Sequence, residues 1–135
     1  MQRLTDALDF QAQALVLRSE RQRLIASNIA HADTPGYVAR DMDFARALRE
    51  ATGQAAAVNA ATTQPRHLAL AGGARAEAQL LYTQPAQSNL DGNSVDMDRE
   101  RAAFADNTVK YEATLRFING QVRTMLDAMK GPNQA

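Results

Sequence analysis

The sequence predicts a mainly α-helical protein, in which long N- and C-terminal amphipathic helices pack as an antiparallel, coiled-coil-like pair. Large apolar side chains gather in residues 4–29 and 97–129, whereas Val58 is the one large apolar side chain in residues 51–65. The 135-residue chain has no Trp, three Tyr and four Phe, so the aromatic area that anchors most globular cores is scarce. These observations favour a rod-like pair of helices over a sphere.

The first helix is predicted from the spacing of its apolar residues. These residues recur at helical intervals, and Phe10, Leu17 and Leu24 lie seven apart. We expect the helix to end within residues 30–33, because Pro35 biases the residue before it toward an extended conformation. The predicted packing residues of this helix are Leu8, Phe10, Leu15, Leu17, Leu24 and Ile29.

The stretch "SNIAHADTPGYVARDMDF" interrupts this helical pattern. Pro35 and Gly36 suit the two central positions of a type II turn, because Pro presets φ and Gly accepts a positive φ. We interpret the interruption as a joint, at which the chain leaves the layer of the terminal helices. The predicted joint residues are Asn28, Thr34, Pro35, Gly36 and Tyr37.

A short helix is predicted near residues 43–51. Asp41 or Asp43 can cap its start, and Gly53 follows its end. The two aspartates could instead form a carboxylate pair for acid–base chemistry. No His, Lys or nucleophile accompanies them at an interpretable spacing, so capping is the favoured interpretation.

The rest of the middle segment is predicted to contain a linker and a hairpin. Residues 51–65 are rich in Ala, Thr and Gln, as in a flexible linker. Apolar runs at residues 68–70 and 80–82 flank Gly72-Gly73, which predicts a β-hairpin. The glycine pair lacks the Lys and Ser or Thr of a phosphate loop, so we interpret it as a turn. The predicted division is into a rod-forming part, residues 1–33 and 94–131, and a middle segment, residues 34–93.

The last helix has the clearest pattern. Alternating steps of four and three residues from Met97 meet an apolar side chain at every position from Tyr111 onward, which is the spacing of a coiled-coil face. Ser94 or Asp96 can cap its start, and residues 130–132 supply a stop. Such a helix would be about 50 Å long. Its predicted seam residues are Phe104, Tyr111, Leu115, Ile118, Val122, Met125 and Met129.

This apolar seam is open to two interpretations, an internal core or a contact with another protein. A helix of about 50 Å that pairs with a shorter N-terminal helix leaves part of its face without an internal partner. An unpaired apolar face in a soluble chain usually marks a protein partner. The length of the helix therefore favours a seam that lies partly between molecules.

Composition and motif content exclude several classes of function. The formal net charge is zero and the basic residues are interleaved with acidic ones, which argues against nucleic acid as the main partner. The absence of Cys removes disulfides and thiol chemistry. No apolar run approaches the roughly twenty residues that span a bilayer, and the N-terminus lacks the apolar region of a cleaved signal peptide. We therefore expect no membrane-spanning segment.

No cofactor, metal or catalytic site is predicted. His31 and Asp33 could be imagined as metal ligands with His67 as a third, but residues two apart on a helix end point to different faces. A solvated helix end is the favoured interpretation of His31 and Asp33. Because no nucleophile or acid–base cluster accompanies them, we expect a protein that is not an enzyme.

Several motifs resemble one known family. "SNIAHADTPGY" followed by "ARDMDF" resembles the N-terminal signature of the bacterial flagellar rod and hook family. "RHLAL", "DGNSVDMDRE" and "YEATLRFINGQVRTMLDAMKG" resemble the rest of a rod subunit of that family, in order and at similar spacing. Residues 51–65 and 72–82 carry no such resemblance, and His31 stands where the family pattern has Asn.

The resemblance implies a structural subunit of the proximal rod of the flagellar basal body, the part of the shaft nearest the inner-membrane ring. It implies export through the flagellar type III apparatus without signal cleavage, and assembly through the terminal helices into a hollow helical tube. The implied partners are copies of this chain, other rod subunits, the export apparatus and the adapter that joins the rod to the export gate and membrane ring. The alternative is a cytoplasmic coiled-coil adaptor or export chaperone that holds a partner with the same helices.

Overall fold

The computed structural model describes residues 2–53, 80–82 and 90–131. Two long helices form the first and last elements, and a short helix and two short strands lie between them in the sequence. In chain order the elements are α1 (Gln2–Ala30), β1 (Arg40–Met42), α2 (Phe44–Ala51), β2 (Leu80–Tyr82) and α3 (Met97–Lys130). The predicted fold, mainly helical with long terminal helices and a short helix between them, is confirmed.

The two long helices lie side by side and run in opposite directions. Arg18 of α1 donates a hydrogen bond to Thr114 of α3, and further along α1 Asn28 donates to Glu100. Residue numbers rise along one helix as they fall along the other, so the pair is antiparallel. With 29 residues in α1 and 34 in α3, the helices are about 44 and 51 Å long.

Local capping groups set the bounds of α3. The Asp96 carboxylate accepts hydrogen bonds from the backbone N–H groups of Asp98 and Arg99, which satisfies donors that the first helical turn leaves free. At the other end the helix stops at Gly131, whose φ of 67° and ψ of 167° lie outside the helical region, in a conformation that is open to glycine. Of the two caps predicted from the sequence, the structure selects Asp96 over Ser94.

One contact caps the short helix α2, and another holds it against α1. Asp43 caps it by accepting a hydrogen bond of 3.1 Å from the Arg46 N–H group. The Arg18 guanidinium lies 4.3 Å from the centre of the Phe44 ring, in a cation–π contact between α1 and α2. Asp41 is not the cap; its carboxylate accepts two hydrogen bonds from Arg21, at 3.3 and 3.4 Å.

The strands β1 and β2 form an antiparallel pair in which Arg40 lies opposite Tyr82 and Met42 opposite Leu80. The sequence predicted a strand at residues 80–82, but in a hairpin with residues 68–70. Residues 68–70 lie outside the described residues, and the partner that the structure provides for β2 is β1. The sequence of β1, Arg-Asp-Met, has no apolar alternation, so its pattern did not indicate a strand.

The described interior is small and rich in polar groups. Its apolar members are Ala14, Leu17, Ile25, Ala39, Met42 and Val95. Its polar members are Asn28, Asn93, Glu100, Asn107 and Thr114. Because buried polar groups are costly unless they are hydrogen-bonded, these side chains must be accounted for by specific partners. None of the described helices is both long and apolar enough to cross a membrane.

Candidate assembly joint and surface

The chain leaves α1 through a turn formed by Thr34, Pro35, Gly36 and Tyr37. The Tyr37 N–H group donates to the Thr34 carbonyl at 3.3 Å, and Gly36 has a φ of +73°. Both features are those of a type II turn with glycine in its third position. Among the described residues, no heavy atom beyond Gly36 and its chain neighbours lies within 4 Å of the place where a Cβ on Gly36 would stand. The backbone conformation, rather than lack of space, therefore requires glycine there.

Asn28, 1% exposed, connects this turn to β1 and α3. Its Nδ2 donates to the Arg40 carbonyl at 2.7 Å and to the Glu100 carboxylate at 3.2 Å. Its Oδ1 accepts from the Arg40 N–H group at 3.0 Å and from the Tyr37 hydroxyl at 3.2 Å. The amide thus bonds both backbone groups of Arg40, as a neighbouring strand would, and every donor and acceptor of the side chain has a partner.

Asn93 performs a similar role on the other side of the turn. Its Nδ2 donates to the carbonyl oxygens of His31, Ala32 and Thr34 at 2.8 to 2.9 Å. Its Oδ1 accepts from the Val95 N–H group at 2.8 Å. The two hydrogens of this amide are shared among three carbonyl oxygens that follow the end of α1. Those of His31 and Thr34 also accept from backbone N–H groups of the turn. Asn93 thus helps to fix the exit of the chain from α1.

Backbone hydrogen bonds complete the joint between the turn and the segment before α3. The Gly36 N–H group donates to the Asp91 carbonyl at 2.8 Å, and the Ser94 N–H group donates to the Tyr37 carbonyl at 3.0 Å. The Ala39 N–H group donates to Ser94 Oγ at 2.8 Å. Residues 36–39 and 91–94 are therefore held together at the same end of the helix pair.

His31 belongs to this joint. Its ring stacks on the Tyr37 ring with centroids 4.5 Å apart and planes 8° from parallel. Its Nδ1 lies 2.7 Å from the Ser27 carbonyl, to which an N–H at that position donates. Within the described parts of the chain no three His, Cys, Asp or Glu side chains come together as they would around a metal ion; His67 lies outside those parts.

Glu100 is the acidic group of the joint and is 7% exposed. Burial raises the pKa of Glu100, because the ionised form loses hydration. The hydrogen bond from Asn28 acts in the opposite direction, and the nearby Asp41 carboxylate raises the pKa further. Folding therefore favours the neutral form of this carboxyl group.

A line of polar side chains on α3 faces α1. We call Glu100, Asn107, Thr114 and Gln121, which are seven residues apart, the polar ladder. Asn107 Nδ2 donates to the Arg18 carbonyl at 2.9 Å and to Gln22 Oε1 at 2.7 Å, and Thr114 Oγ1 accepts from Arg18 Nε at 3.2 Å. The contact between the two long helices thus includes several side-chain hydrogen bonds as well as apolar packing.

The structure divides the predicted seam of α3 between inside and outside. Tyr111, Ile118 and Met125 are half-buried beside the polar ladder. The other predicted members, Phe104, Leu115, Val122 and Met129, are exposed, as is Leu126. We call the exposed set the apolar stripe; its spacings of eleven, seven, four and three residues place it on one side of the helix. Its members are Phe104, Leu115, Val122, Leu126 and Met129.

The predicted packing residues of α1 also differ in burial. Leu17 is buried, whereas Phe10 is 38% exposed. The half-buried members are Leu8, Leu15, Leu24 and Ile29. The buried contacts of α1 include Ala14, Ile25 and Asn28 as well, so its inner face is a mixture of small, apolar and polar residues.

Comparisons with known proteins give one consistent answer. No protein-family model matches the chain. The flagellar basal body rod protein FlgB of Proteus mirabilis strain HI4320 is 46% identical over 135 residues, which cover 96% of this chain and 98% of that protein. FlgB of Salmonella typhimurium is 45% identical (98% and 99% covered), and FlgB of Escherichia coli K12 is 44% identical (98% and 99% covered). The chain belongs to the FlgB family of flagellar basal body rod proteins.

Membership in the FlgB family confirms the resemblance found in the sequence motifs. The relatives cover nearly the whole chain, including residues 51–65 and 72–82, for which the motifs gave no support. They are described as rod proteins, so the alternative of a cytoplasmic adaptor or export chaperone is not favoured.

Sequence reasoning missed several joint residues of this FlgB-family chain. Of these residues the sequence predicted Ser94 as a possible cap of α3, and it did not predict that Asp91, Asn93 and Glu100 belong to the joint. In the structure Asn93 and Glu100 are buried. The available signal was the density of Asp, Asn and Ser next to a glycine, since these side chains bond nearby backbone groups.

Proposed function

We propose that this chain is a structural, non-enzymatic subunit of the proximal rod of the flagellar basal body. The observation that carries the proposal is the apolar stripe, left exposed on a capped helix of 34 residues in a member of the FlgB family. A row of large apolar side chains on one side of a helix is a surface suited to packing against another helix.

The partners that fit the stripe are helices of the same kind, from further copies of this chain and from other rod subunits. The motifs shared with the flagellar rod and hook family support two further partners: the type III export apparatus, and the adapter that joins the rod to the export gate and membrane ring. On this proposal the chain reaches the periplasmic rod without cleavage of a signal peptide.

The joint gives the subunit its shape within the proposed rod. Asn28, Asn93 and the turn at Gly36 fix the direction in which the chain leaves α1. The helix pair then forms the packed layer of the shaft, while residues 34–93, the proposed middle segment, lie to one side of that layer. An error in the exit direction would place this segment against a neighbouring subunit.

The decisive experiment is imaging of basal bodies from a strain that lacks this protein, with the gene supplied as the parent or as a variant. Rods should be absent without the gene and restored by the parent. Leu115→Asp should fail to restore them, because burying an unpaired carboxylate between apolar helices costs several kcal/mol. Val109→Asp is the matched control, since Val109 is 66% exposed on α3 and lies outside the apolar stripe.

Three results would contradict the proposal. Rods that still form in the deletion strain would show that the protein is not a required rod subunit. Equal rod formation by the Leu115→Asp and Val109→Asp variants would show that the apolar stripe is not the assembly surface. A protein that stays in the cytoplasm and is never found in isolated basal bodies would favour the cytoplasmic adaptor or export chaperone instead.

A further inference from the structure

The contact between α1 and α3 uses the polar side of α3 although an apolar side lies next to it. Thr114 is 7% exposed and faces α1, whereas Leu115 is 40% exposed. One residue corresponds to about 100° around a helix. A rotation of α3 by about this angle would exchange the two sides, burying the apolar stripe against α1 and releasing the polar ladder to water.

Burial of apolar area alone would favour the rotated arrangement. What opposes it is the set of hydrogen-bonding groups that α1 presents. Arg18, Gln22 and Asn28 each hold a member of the polar ladder. After rotation these three side chains would face apolar groups, and a buried polar group without a partner loses more than a hydrogen bond contributes.

Asn107 is the central member of the polar ladder. It is 0% exposed, and its Nδ2 is fixed by the Arg18 carbonyl and Gln22 Oε1. Its Oδ1, and likewise Gln121 Oε1, is buried without a hydrogen-bond partner among the described residues. A buried polar atom without a hydrogen-bond partner lowers the stability of the protein. Buried polar residues that specify how two helices pair have the same cost in stability.

We propose that Asn107, with the polar ladder around it, determines the rotation of α3 on α1 and so keeps the apolar stripe facing outward for the next subunit. Asn107 is a positioning residue: it acts through the orientation of α3 and makes no contact with a partner subunit itself. One part of this proposal, that a neighbouring subunit packs against the apolar stripe, rests on the proposed function. The rotation is a property of the isolated chain and is tested there.

The test uses thiol labelling, which the chain permits because it contains no cysteine. Thr114→Cys and Leu115→Cys place a single thiol on the ladder side or on the stripe side of α3. Rates of reaction with a maleimide are compared at equal far-UV circular dichroism. With Asn107 in place, the thiol at position 115 should react at least about tenfold faster than the thiol at position 114, because a buried thiol reacts only after local opening of the structure.

Asn107→Leu should lower this ratio of rates by about tenfold or more, because it removes two hydrogen bonds that hold the observed rotation. Ala105→Leu is the matched control: it introduces the same side chain at an exposed position of α3 and should leave the ratio unchanged. Gln22→Met, which keeps the side-chain length and removes the acceptor of Asn107, should lower the ratio by a smaller factor. If Asn107→Leu does not fold, the ratio of rates in the Gln22→Met background decides whether the polar ladder sets the rotation of α3.

The proposal is overturned if the two thiols already react at similar rates in the parent background, since α3 would then have no preferred rotation. It is also overturned if the ratio is the same in the Gln22→Met and Ala105→Leu backgrounds. Rod formation is not read in this experiment. If the rod assembles through another surface of the protein, the proposed function is contradicted. The ratio of labelling rates, and the rotation of α3 inferred from it, would be unaffected.

Discussion

Three residues of the joint act on the backbone rather than by filling space. Asn28 bonds both the N–H and C=O groups of Arg40, Asn93 binds three carbonyl oxygens, and Gly36 supplies a positive φ. Each satisfies a requirement of the main chain that few other side chains could meet. Single substitutions at these positions should therefore have effects out of proportion to the area that they bury.

Gly36→Val should lower the free energy of unfolding by about 1–3 kcal/mol, because a β-branched residue is strained at positive φ. Gly36→Asn should be milder, since asparagine enters the left-handed region more readily. Urea unfolding of the purified proteins measures the difference, and recovery of each variant in basal bodies shows its consequence for assembly.

The control for this pair is Gly120→Val, the same replacement within α3. In the described part of the chain, no heavy atom outside the neighbouring backbone of α3 lies within 4 Å of a Cβ added at Gly120. Valine also has a higher helix propensity than glycine by roughly 0.3 kcal/mol. Stability should therefore not fall. Equal losses for valine and asparagine at position 36 would show that Gly36 is not held at positive φ in solution.

Glu100 should make the protein less stable as the pH rises. Burial raises the pKa of Glu100 above its ordinary value of 4.5. Below that value both folded and unfolded chains hold the proton. As the pH rises the unfolded chain releases its proton first, so the stabilising contribution of the neutral group is lost progressively until the folded-state pKa is passed.

Glu100→Gln should remove this contribution to the pH dependence, because glutamine is neutral and its carbonyl can still accept from Asn28. The measurement is the free energy of unfolding in urea between about pH 4 and pH 7. Glu112→Gln is the control, at an exposed position on the same helix. If both variants show the slope of the parent, Glu100 is not buried in its neutral form.

At the scale of elements, helix bounds were predictable from the sequence, and helix faces were predictable in part, since Tyr111, Ile118 and Met125 of the predicted seam are half-buried. Asp96, Asp43 and Gly131 act on backbone groups within a few residues, so their local sequence is sufficient. The face of α3 that meets α1 depends on which groups α1 offers, 72 to 96 positions away. The spacing of apolar residues predicted that the side of α3 with Leu115 would meet α1. In the structure the side with Thr114 meets α1, because Thr114 accepts a hydrogen bond from Arg18.

Asn28 forms the buried connection between α1 and β1, beside the more exposed Arg21–Asp41 pair, and its part can be tested by a single substitution. Asn28→Ala should lower the free energy of unfolding by about 2–4 kcal/mol, since it leaves the Arg40 backbone, the Tyr37 hydroxyl and Glu100 without their shared partner. Asn119→Ala, at an exposed position of α3, is the control and should have little effect. Similar small losses for both, in urea unfolding, would mean that water replaces Asn28 in the joint.

Across the whole molecule the packing is denser at the joint than at the opposite end of the helix pair. Ile25, Ala39 and Val95 are buried near the joint, whereas residues 2–6 of α1 and 126–130 of α3 are exposed. Local opening requires less free energy where few apolar contacts are broken. The end of the pair remote from the joint should therefore open first.

Amide hydrogen exchange measures this gradient. In the isolated protein the amides of residues 100–114 should exchange more slowly than those of residues 122–130, because only the former lie beside the buried part of α1. Assembly into the proposed rod should slow exchange in residues 122–130, since the apolar stripe would then be covered. Uniform exchange along α3 in the isolated protein would contradict this account.

The antiparallel pairing of α1 with α3 has a consequence for the order of folding during synthesis. Arg18 contacts Thr114, which is 96 positions later in the chain. At roughly 5–20 residues per second, about 5–20 s separate the synthesis of these two residues. Closing so long a loop is also slow compared with forming a local contact. The helix α1 therefore remains without its partner until α3 has been made, and folding of the helix pair depends on residues that are translated long after α1.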